Sequence, residues 1–310
     1  MDRVVEIAKR AYAFGRRIAG EWSSDRVGGL SAEIAFFALL GFFPTVIALA
    51  AALGSADAVV GENTASDVET WLVDQMINVF GGENTLESTV RELFTGGNGS
   101  ALTFGLLIAF YAASRGFTAV VRALDVAYDH DHLRGWLSTR LVGFALTLVT
   151  VLVAAVVLVL IVVGPLFGEG SEIADDLGVA GWVGTLWTWL RWPVVFLVLV
   201  AWAATVYHVA PNHTSPWRTE LPGAVIAAVW WSAVSLGFNT YLSVASSGAN
   251  AIFGLLGGAI SLLFWLYLMA MGLLLGAEVN SLLAVDRGLD LNARPGSARG
   301  EATSVESRGD

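Results

Sequence analysis

The sequence contains no cysteine and few charged residues. Only 14% of its 310 residues are Asp, Glu, Lys or Arg, against about 25% in an ordinary soluble domain. The lack of cysteine excludes disulfides, thiolate nucleophiles and cysteine-based metal or iron–sulfur sites. The net charge of −10 argues against nucleic acid as a partner, because a nucleic-acid-binding protein needs a basic surface.

Hydrophobic residues are abundant instead. They make up 55% of the chain, and the mean hydropathy is +0.66. A soluble globule of this length has too little interior to bury so much apolar surface, and a disordered chain would contain far less of it. The sequence therefore predicts an integral membrane protein.

Six apolar segments are long enough to cross a bilayer as helices, since about 20 residues span its hydrocarbon core. They are built around five runs without acidic or basic residues, of which the longest, 221–277, is interrupted by the polar stretch 246–250. The predicted fold is an all-α, polytopic transmembrane bundle of six helices, forming a domain over 30–286. The helices are expected at 30–53, 101–122, 137–166, 192–209, 220–245 and 252–284.

Basic residues are unevenly distributed across this topology. On it, 14 of the 17 Lys and Arg residues fall on the side that holds both termini. Loops rich in Lys and Arg stay in the cytoplasm. The sequence therefore predicts that both termini are cytoplasmic.

Three further segments flank or interrupt the bundle. Residues 1–29 are predicted to be a cytoplasmic amphipathic segment, whose helix either lies on the anionic inner leaflet or packs as a cytoplasmic helix. Within 54–100, a capping-box pattern and two glycine pairs predict an external helical hairpin. The tail 287–310 is rich in Gly, Ser, Arg and Glu and is predicted to be disordered.

Charged residues in the apolar helices are candidates for a functional site. Helical rise places Glu33, Arg115 and Glu278 at similar depths in the inner half of the bundle, and predicts an ion pair between the last two. A charge at that depth needs a partner or a wet cavity. The predicted inner-cavity charge cluster also contains Arg122, Asp125 and Asn280. The alternative is that these side chains reach the headgroups and form one structural ion pair.

Small residues and a proline are candidates for helix packing. Gly254 and Gly258, and likewise Gly272 and Gly276, are four residues apart on the sixth predicted helix, which lets another helix approach closely. That partner belongs either to the same chain or to a second copy in a homo-oligomer. Pro44 removes a backbone hydrogen bond and predicts a kink or hinge in the first helix.

The sequence does not predict an enzyme. It contains no phosphate-binding loop, no G-x-S-x-G or H-E-x-x-H motif and no dinucleotide-binding fingerprint. The stretch 129–132, Asp-His-Asp-His, has no evident remote third ligand, and its adjacent side chains point in different directions. We therefore expect no catalytic residue, no metal and no cofactor.

An ordered set of motifs extends over about residues 20–285. The motifs are Ala35-Phe36-Phe37-Ala38-Leu39-Leu40-Gly41-Phe42-Phe43-Pro44, Ser114-Arg115-Gly116, Arg122-Ala123-Leu124-Asp125-Val126-Ala127-Tyr128, Ala210-Pro211-Asn212, Leu221-Pro222-Gly223-Ala224, Phe253-Gly254, Trp265-Leu266-Tyr267 and Leu275-Gly276-Ala277-Glu278-Val279-Asn280. In this order they resemble the YihY/BrkB family, which often has Asn at the position of Asp125. The resemblance implies a multi-pass protein of the bacterial inner membrane. Members are linked to serum resistance, export of lipid-type envelope molecules and cation/proton exchange.

Two functions are compatible with these features. The first is a transporter or exporter of an envelope lipid or another amphipathic molecule, with or without ion coupling, whose partners are membrane lipids. The alternative is a non-transporting scaffold in envelope maintenance. A charged inner cavity would favour the first, and a filled core the second. The family was once labelled ribonuclease BN, but a basic RNA channel and a plausible metal cluster are missing from this sequence.

Overall fold

The computed structural model describes residues 2–55, 99–130, 134–158, 160, 180–212, 215–245 and 251–289, and within these ranges it contains helices and no strand. A short 3-10 helix, Trp217–Glu220, precedes α6. The α-helices are α1 (Asp2–Ser24), α2 (Val27–Ser55), α3 (Gly99–Ala127), α4 (Trp136–Leu158), α5 (Ala180–Val209), α6 (Leu221–Ala245) and α7 (Ala251–Asp286).

Several of these helices can cross a membrane. Trp136–Val157, Trp189–Val209, Trp217–Leu242 and Gly257–Asp286 are long and apolar enough, and α2 adds the shorter apolar segment Val27–Phe42. Apolar chain folds as helix in lipid because a helix satisfies its backbone hydrogen bonds internally. The prediction of an all-helical membrane protein is confirmed, whereas the count of six crossings stays a prediction.

Some predicted helix limits are wrong. The fourth predicted helix, 192–209, begins at Ala180 in the structure, and the second, 101–122, continues to Ala127. Both limits were set at an arginine, but arginine is a good helix former and does not end a helix. The predicted external hairpin at 54–100 lies almost entirely outside the described residues, as do 161–179 and the tail from 290.

Among the described residues, the buried side chains concentrate at the end where α1, the start of α2, the ends of α3 and α5, the start of α6 and the end of α7 meet. We call it the α1 end. Its core contains Ala123, Ala204, Ala227 and Ala277, each at most 1% exposed. Such small side chains let helices approach closely. The α1 end is therefore where polar side chains from several helices can meet.

Helices α6 and α7 form one of the closest contacts. The indole nitrogens of Trp230 and Trp231 on α6 donate hydrogen bonds of 2.8 Å to the backbone oxygens of Leu268 and Met269 on α7. These bonds give the two indole N–H groups partners inside the bundle. They fix the register of α6 against α7.

Helix α1 is attached to the bundle near its end. The guanidinium of Arg17 donates to both carboxylate oxygens of Asp286, at 2.8 and 3.0 Å. Both side chains are more than two-fifths exposed, so this ion pair contributes little to stability. The second half of α1 nevertheless packs against α7.

Candidate functional site

A buried set of hydrogen bonds surrounds Glu220 at the α1 end. Glu220 is 2% exposed, and its carboxyl oxygens accept hydrogen bonds from the hydroxyls of Tyr128 and Ser215. The Asn280 side chain donates to the backbone oxygen of Glu220 at 3.0 Å and accepts from the backbone N–H of Gly223 at 2.7 Å. We call these five residues the Glu220 network. It joins α3, α6 and α7 and supplies the partners that a buried carboxyl group needs.

Tyr128, directly after the end of α3, is a donor in this network. Burial, and then the neighbouring carboxylate of Glu220, raise the pKa of Tyr128 well above its ordinary value. The phenol therefore keeps its proton and donates it in the hydrogen bond to Glu220. Its oxygen also accepts a 3.3 Å hydrogen bond from Asn280.

Arg134 connects the α3–α4 turn to the end of α5. Its guanidinium donates to the backbone oxygens of Val209 and Pro211 at 2.9 and 3.1 Å, and to the side-chain oxygen of Asn212 at 3.3 Å. Burial lowers the pKa of Arg134, and the nearby carboxylate of Asp125 opposes this change. Arg134 thus holds the α3–α4 turn against the end of α5 and the residues that follow it.

A group of acidic side chains lies beside the Glu220 network. Glu278 on α7 is 1% exposed, and its Oε1 atom has no hydrogen-bond partner in the described part of the chain. The carboxyl of Asp25, in the turn between α1 and α2, faces Glu278, and Glu21 and Asp129 add negative charge. We call these four residues the carboxyl cluster. Burial, and then the charge of Asp129, raise the pKa of Asp25.

The predicted ion pair between Arg115 and Glu278 is wrong. Arg115 lies on an exposed face of α3, with its guanidinium 5.3 Å from the ring centre of Phe37. Arg122 lies on the same exposed face, because seven residues make nearly two helical turns. Depth along a helix was predicted from the rise per residue, but the pair also required the direction of each side chain.

The other members of the predicted charge cluster lie apart. Glu33 is exposed on α2, whereas Asp125 is buried near Arg134. Asn280 belongs to the Glu220 network. In the part of the chain that the structure describes, these six residues therefore do not line one cavity, and Arg115 and Glu278 do not meet.

One cavity between the described helices is apolar. Its volume is about 450 Å³, and it lies between α2, α3, α4, α5 and α7. Phe42, Phe117, Trp265 and Ala270 are among its lining residues, and none of the described residues that line it is charged. Two of its polar groups satisfy each other, since the Trp202 indole donates a 2.9 Å hydrogen bond to Thr150. Ligand pockets commonly have such a volume and such a lining.

The predicted packing glycines lie on α7. A Cβ atom at Gly276 would overlap the Tyr207 hydroxyl and would lie 2.5 Å from the backbone oxygen of Gly223, and one at Gly272 would overlap the Trp230 indole. Gly258 is buried. Pro44 lies within α2 and Gly254 within α7, but the surroundings of both side chains fall outside what the structure describes.

Sequence reasoning missed several residues of the Glu220 network, above all Glu220 itself. The available signal was its position, as the acid directly before the 57-residue run without charge.

No group of three or more His, Cys, Asp or Glu side chains could hold a metal ion in the ranges that the structure describes. Asp131 and His132 of the Asp-His-Asp-His stretch lie outside those ranges.

Comparisons with known proteins identify relatives over most of the chain. A family model described as virulence factor BrkB matches residues 18–301. The putative ribonuclease-like protein YfkH of Bacillus subtilis (strain 168) is 34% identical over 82% of this chain and 88% of its own length. No solved structure matches the chain significantly.

Other relatives are longer than this chain. UPF0761 membrane proteins of Xanthomonas oryzae pv. oryzae and Stenotrophomonas maltophilia are 26% and 24% identical to it. The matches cover 90% and 93% of this chain, but only 62% and 64% of those relatives. The chain therefore spans less than two thirds of their length.

Proposed function

Because this chain belongs to the virulence factor BrkB family of membrane proteins, we propose that it transports or exports an amphipathic molecule of the bacterial envelope. We further propose that it lies in the inner membrane with both termini in the cytoplasm, as the distribution of Lys and Arg indicates. The apolar cavity is the single observation that carries the transport proposal.

The cavity suits a hydrocarbon chain. Its described lining offers aromatic and aliphatic side chains from five helices, and none of these side chains carries a charge with which a polar solute could pair. A polar solute would lose its hydration there without replacement, which is costly. A lipid tail would lose nothing, since lipid already surrounds it in the membrane.

Polar groups follow the cavity along α7. Leu273 lines the cavity, and its backbone oxygen accepts a 2.7 Å hydrogen bond from the buried hydroxyl of Tyr207. Asn280 of the Glu220 network lies seven residues farther, about 10 Å along the helix. An amphipathic molecule needs this order of apolar and polar surfaces, so we assign its tail to the cavity and its headgroup to the side of the α1 end.

The alternatives make different predictions. A scaffold needs no route for a small molecule, so filling the cavity would leave its role intact. The name of the Bacillus subtilis relative describes that protein as ribonuclease-like. We do not propose ribonuclease activity for this chain. The net charge of −10 gives RNA no basic surface to bind.

The test is transfer of a fluorescent single-chain phospholipid across liposomes that contain the purified full chain, measured by quenching in the outer leaflet. Ala270→Phe places a ring in the cavity, and we expect it to abolish most of the transfer. Ala201→Phe adds the same ring on an exposed face of α5 and is the matched control. Melting temperatures of both variants verify that they are folded.

Each outcome decides between the alternatives. Transfer no faster than in protein-free liposomes would contradict the transport function and favour the scaffold. Equal rates for the wild type and Ala270→Phe would retain transport but remove the cavity from the route. Loss of transfer in Ala270→Phe alone supports the proposal.

A further inference from the structure

Glu278 has no evident source of charge compensation. Its side chain is 1% exposed, and its Oε1 atom is buried without a hydrogen-bond partner in the described ranges. The charged groups that act on it are Asp25 and Glu21, from the α1 side, and Asp129, from the end of α3. All three are acidic, so each would raise the energy of a negative charge on Glu278.

Two described basic side chains on neighbouring elements have other partners. Arg17 of α1 is paired with Asp286, and Arg134 is hydrogen-bonded to Val209, Pro211 and Asn212. A metal ion is a poor candidate, since the described residues contain no group of three or more ligands arranged to hold one. A proton needs only two facing carboxyl groups, and Asp25 and Glu278 supply them.

We propose that Asp25 and Glu278 form a proton-binding site that joins the turn between α1 and α2 to α7. The proton comes from water and converts the buried carboxylate of Glu278 to a carboxylic acid. The acid then donates a hydrogen bond to a carboxylate oxygen of Asp25. This inference is independent of the proposed transport function, because it requires no substrate.

The surroundings of Asp25 suit such a contact. The Ser24 hydroxyl lies 3.3 Å from a carboxyl oxygen of Asp25 and 3.3 Å from one of Glu21, so its single proton can be donated to one of them at a time. The next residue, Arg26, has a φ of 53°, which is uncommon for a residue with a side chain. In this turn the carboxyl of Asp25 faces Glu278 on α7.

Loss of the proton has a structural consequence. Two like charges would then face each other where Glu278 has no access to water, and repulsion would separate the turn from α7. The exposed pair between Arg17 and Asp286 would remain as the contact of α1 with α7. The site would therefore work as a latch that is closed at low pH and opens as the pH rises.

The sign of the effect on stability follows from the proton that Asp25 and Glu278 share. The pKa of Asp25, one of the two groups, is raised in the folded protein, so the folded state binds more protons than the unfolded state above the ordinary carboxyl range. Stability is therefore fully present below the ordinary pKa of an aspartate, about 4, and is lost as the pH rises through the raised value. Removing a charge from the pair should weaken this dependence.

The direct test is infrared spectroscopy of the full chain in lipid nanodiscs between about pH 5 and about pH 9, a range well above the ordinary carboxyl pKa. We expect a carboxylic-acid C=O band near neutral pH that disappears as the pH rises. Glu278→Gln should remove the band, and Asp25→Asn should shift its titration. Glu33→Gln, an exposed acid on α2, is the control and should leave the band unchanged.

Melting temperatures over the same pH range provide the second measurement. The wild type and Glu33→Gln should lose stability in parallel as the pH rises, whereas Glu278→Gln and Asp25→Asn should lose less. A band that persists unchanged in Glu278→Gln, or its absence from the wild type at neutral pH, would overturn the proposal. If Glu278→Gln fails to fold, the Asp25→Asn titration decides, and an unshifted band there would contradict the shared proton.

Discussion

Glu220 and Glu278 are buried to nearly the same extent at the same end of the bundle, yet their neighbours are opposite in kind. Glu220 accepts hydrogen bonds from the hydroxyls of Tyr128 and Ser215. Glu278 faces Asp25 and has a carboxyl oxygen without a described partner. Donors favour the charged form of a carboxyl group, whereas neighbouring negative charge favours the neutral form. Burial alone therefore does not decide whether a glutamate side chain is favoured in its charged or its neutral form.

The two regions also differ in how they hold the helices together. The Glu220 network joins the ends of three helices with hydrogen bonds whose donors and acceptors are matched. The carboxyl cluster joins α7 to a turn through a contact that depends on one proton. We expect substitutions in the first region to lower stability at every pH, and substitutions in the second to act according to pH.

The largest expected effect concerns the helix contact beneath the Glu220 network. Gly276→Ala places a Cβ atom against the Tyr207 hydroxyl and the backbone of Gly223, so α6 and α7 must separate. We expect a loss of about 3 kcal/mol or failure to fold. Gly257→Ala on the same helix meets nothing within 4 Å and is the matched control. Equal folded yield and melting temperature for both variants would show that the close contact is unnecessary.

The next effect isolates one donor of the network. Tyr128→Phe removes the hydroxyl that donates to Glu220, and we expect a loss of about 2 kcal/mol, as for a hydrogen bond to a charged group. Tyr12→Phe removes a hydroxyl from a side chain that is 71% exposed and should change little. Thermal unfolding in one detergent measures both. A Tyr128→Phe protein as stable as Tyr12→Phe would remove the distinction between the two glutamates.

The smallest expected effect is an absence of coupling. Arg115 and Glu278 do not form an ion pair, so the effects of Arg115→Gln and Glu278→Gln on the free energy of unfolding should add, within about 0.5 kcal/mol. The four melting temperatures of this double-mutant cycle provide the measurement. Rescue of Arg115→Gln by Glu278→Gln would give Glu278 a basic partner and would remove its contrast with Glu220.

The sequence predicted the features that depend on composition and order. Long uncharged runs predicted an all-helical membrane protein, and the ordered motifs predicted the family, which the match over 18–301 confirmed. Spacing along one helix also selected Gly272 and Gly276, each of which the structure places against another helix. These features are local, so one segment at a time was enough.

Features that depend on how helices are rotated against each other were not predicted. Arg115 and Glu278 were paired by depth, but their side chains point in different directions. Glu220 was treated as a helix boundary, although it lies in a network with Tyr128 and Asn280, 92 and 60 residues away. A single sequence does not contain the rotation of one helix against another, which is set by packing in three dimensions.

The central contrast is tested most directly by the melting temperatures of Glu220→Gln and Glu278→Gln in the same detergent at neutral pH. The amide is isosteric with the carboxyl but carries no charge. We predict that Glu220→Gln lowers the melting temperature, because Tyr128 and Ser215 lose a charged acceptor, whereas Glu278→Gln leaves it unchanged or raises it. Equal losses in the two variants would contradict the account, since both glutamates would then be ordinary hydrogen-bonded carboxylates.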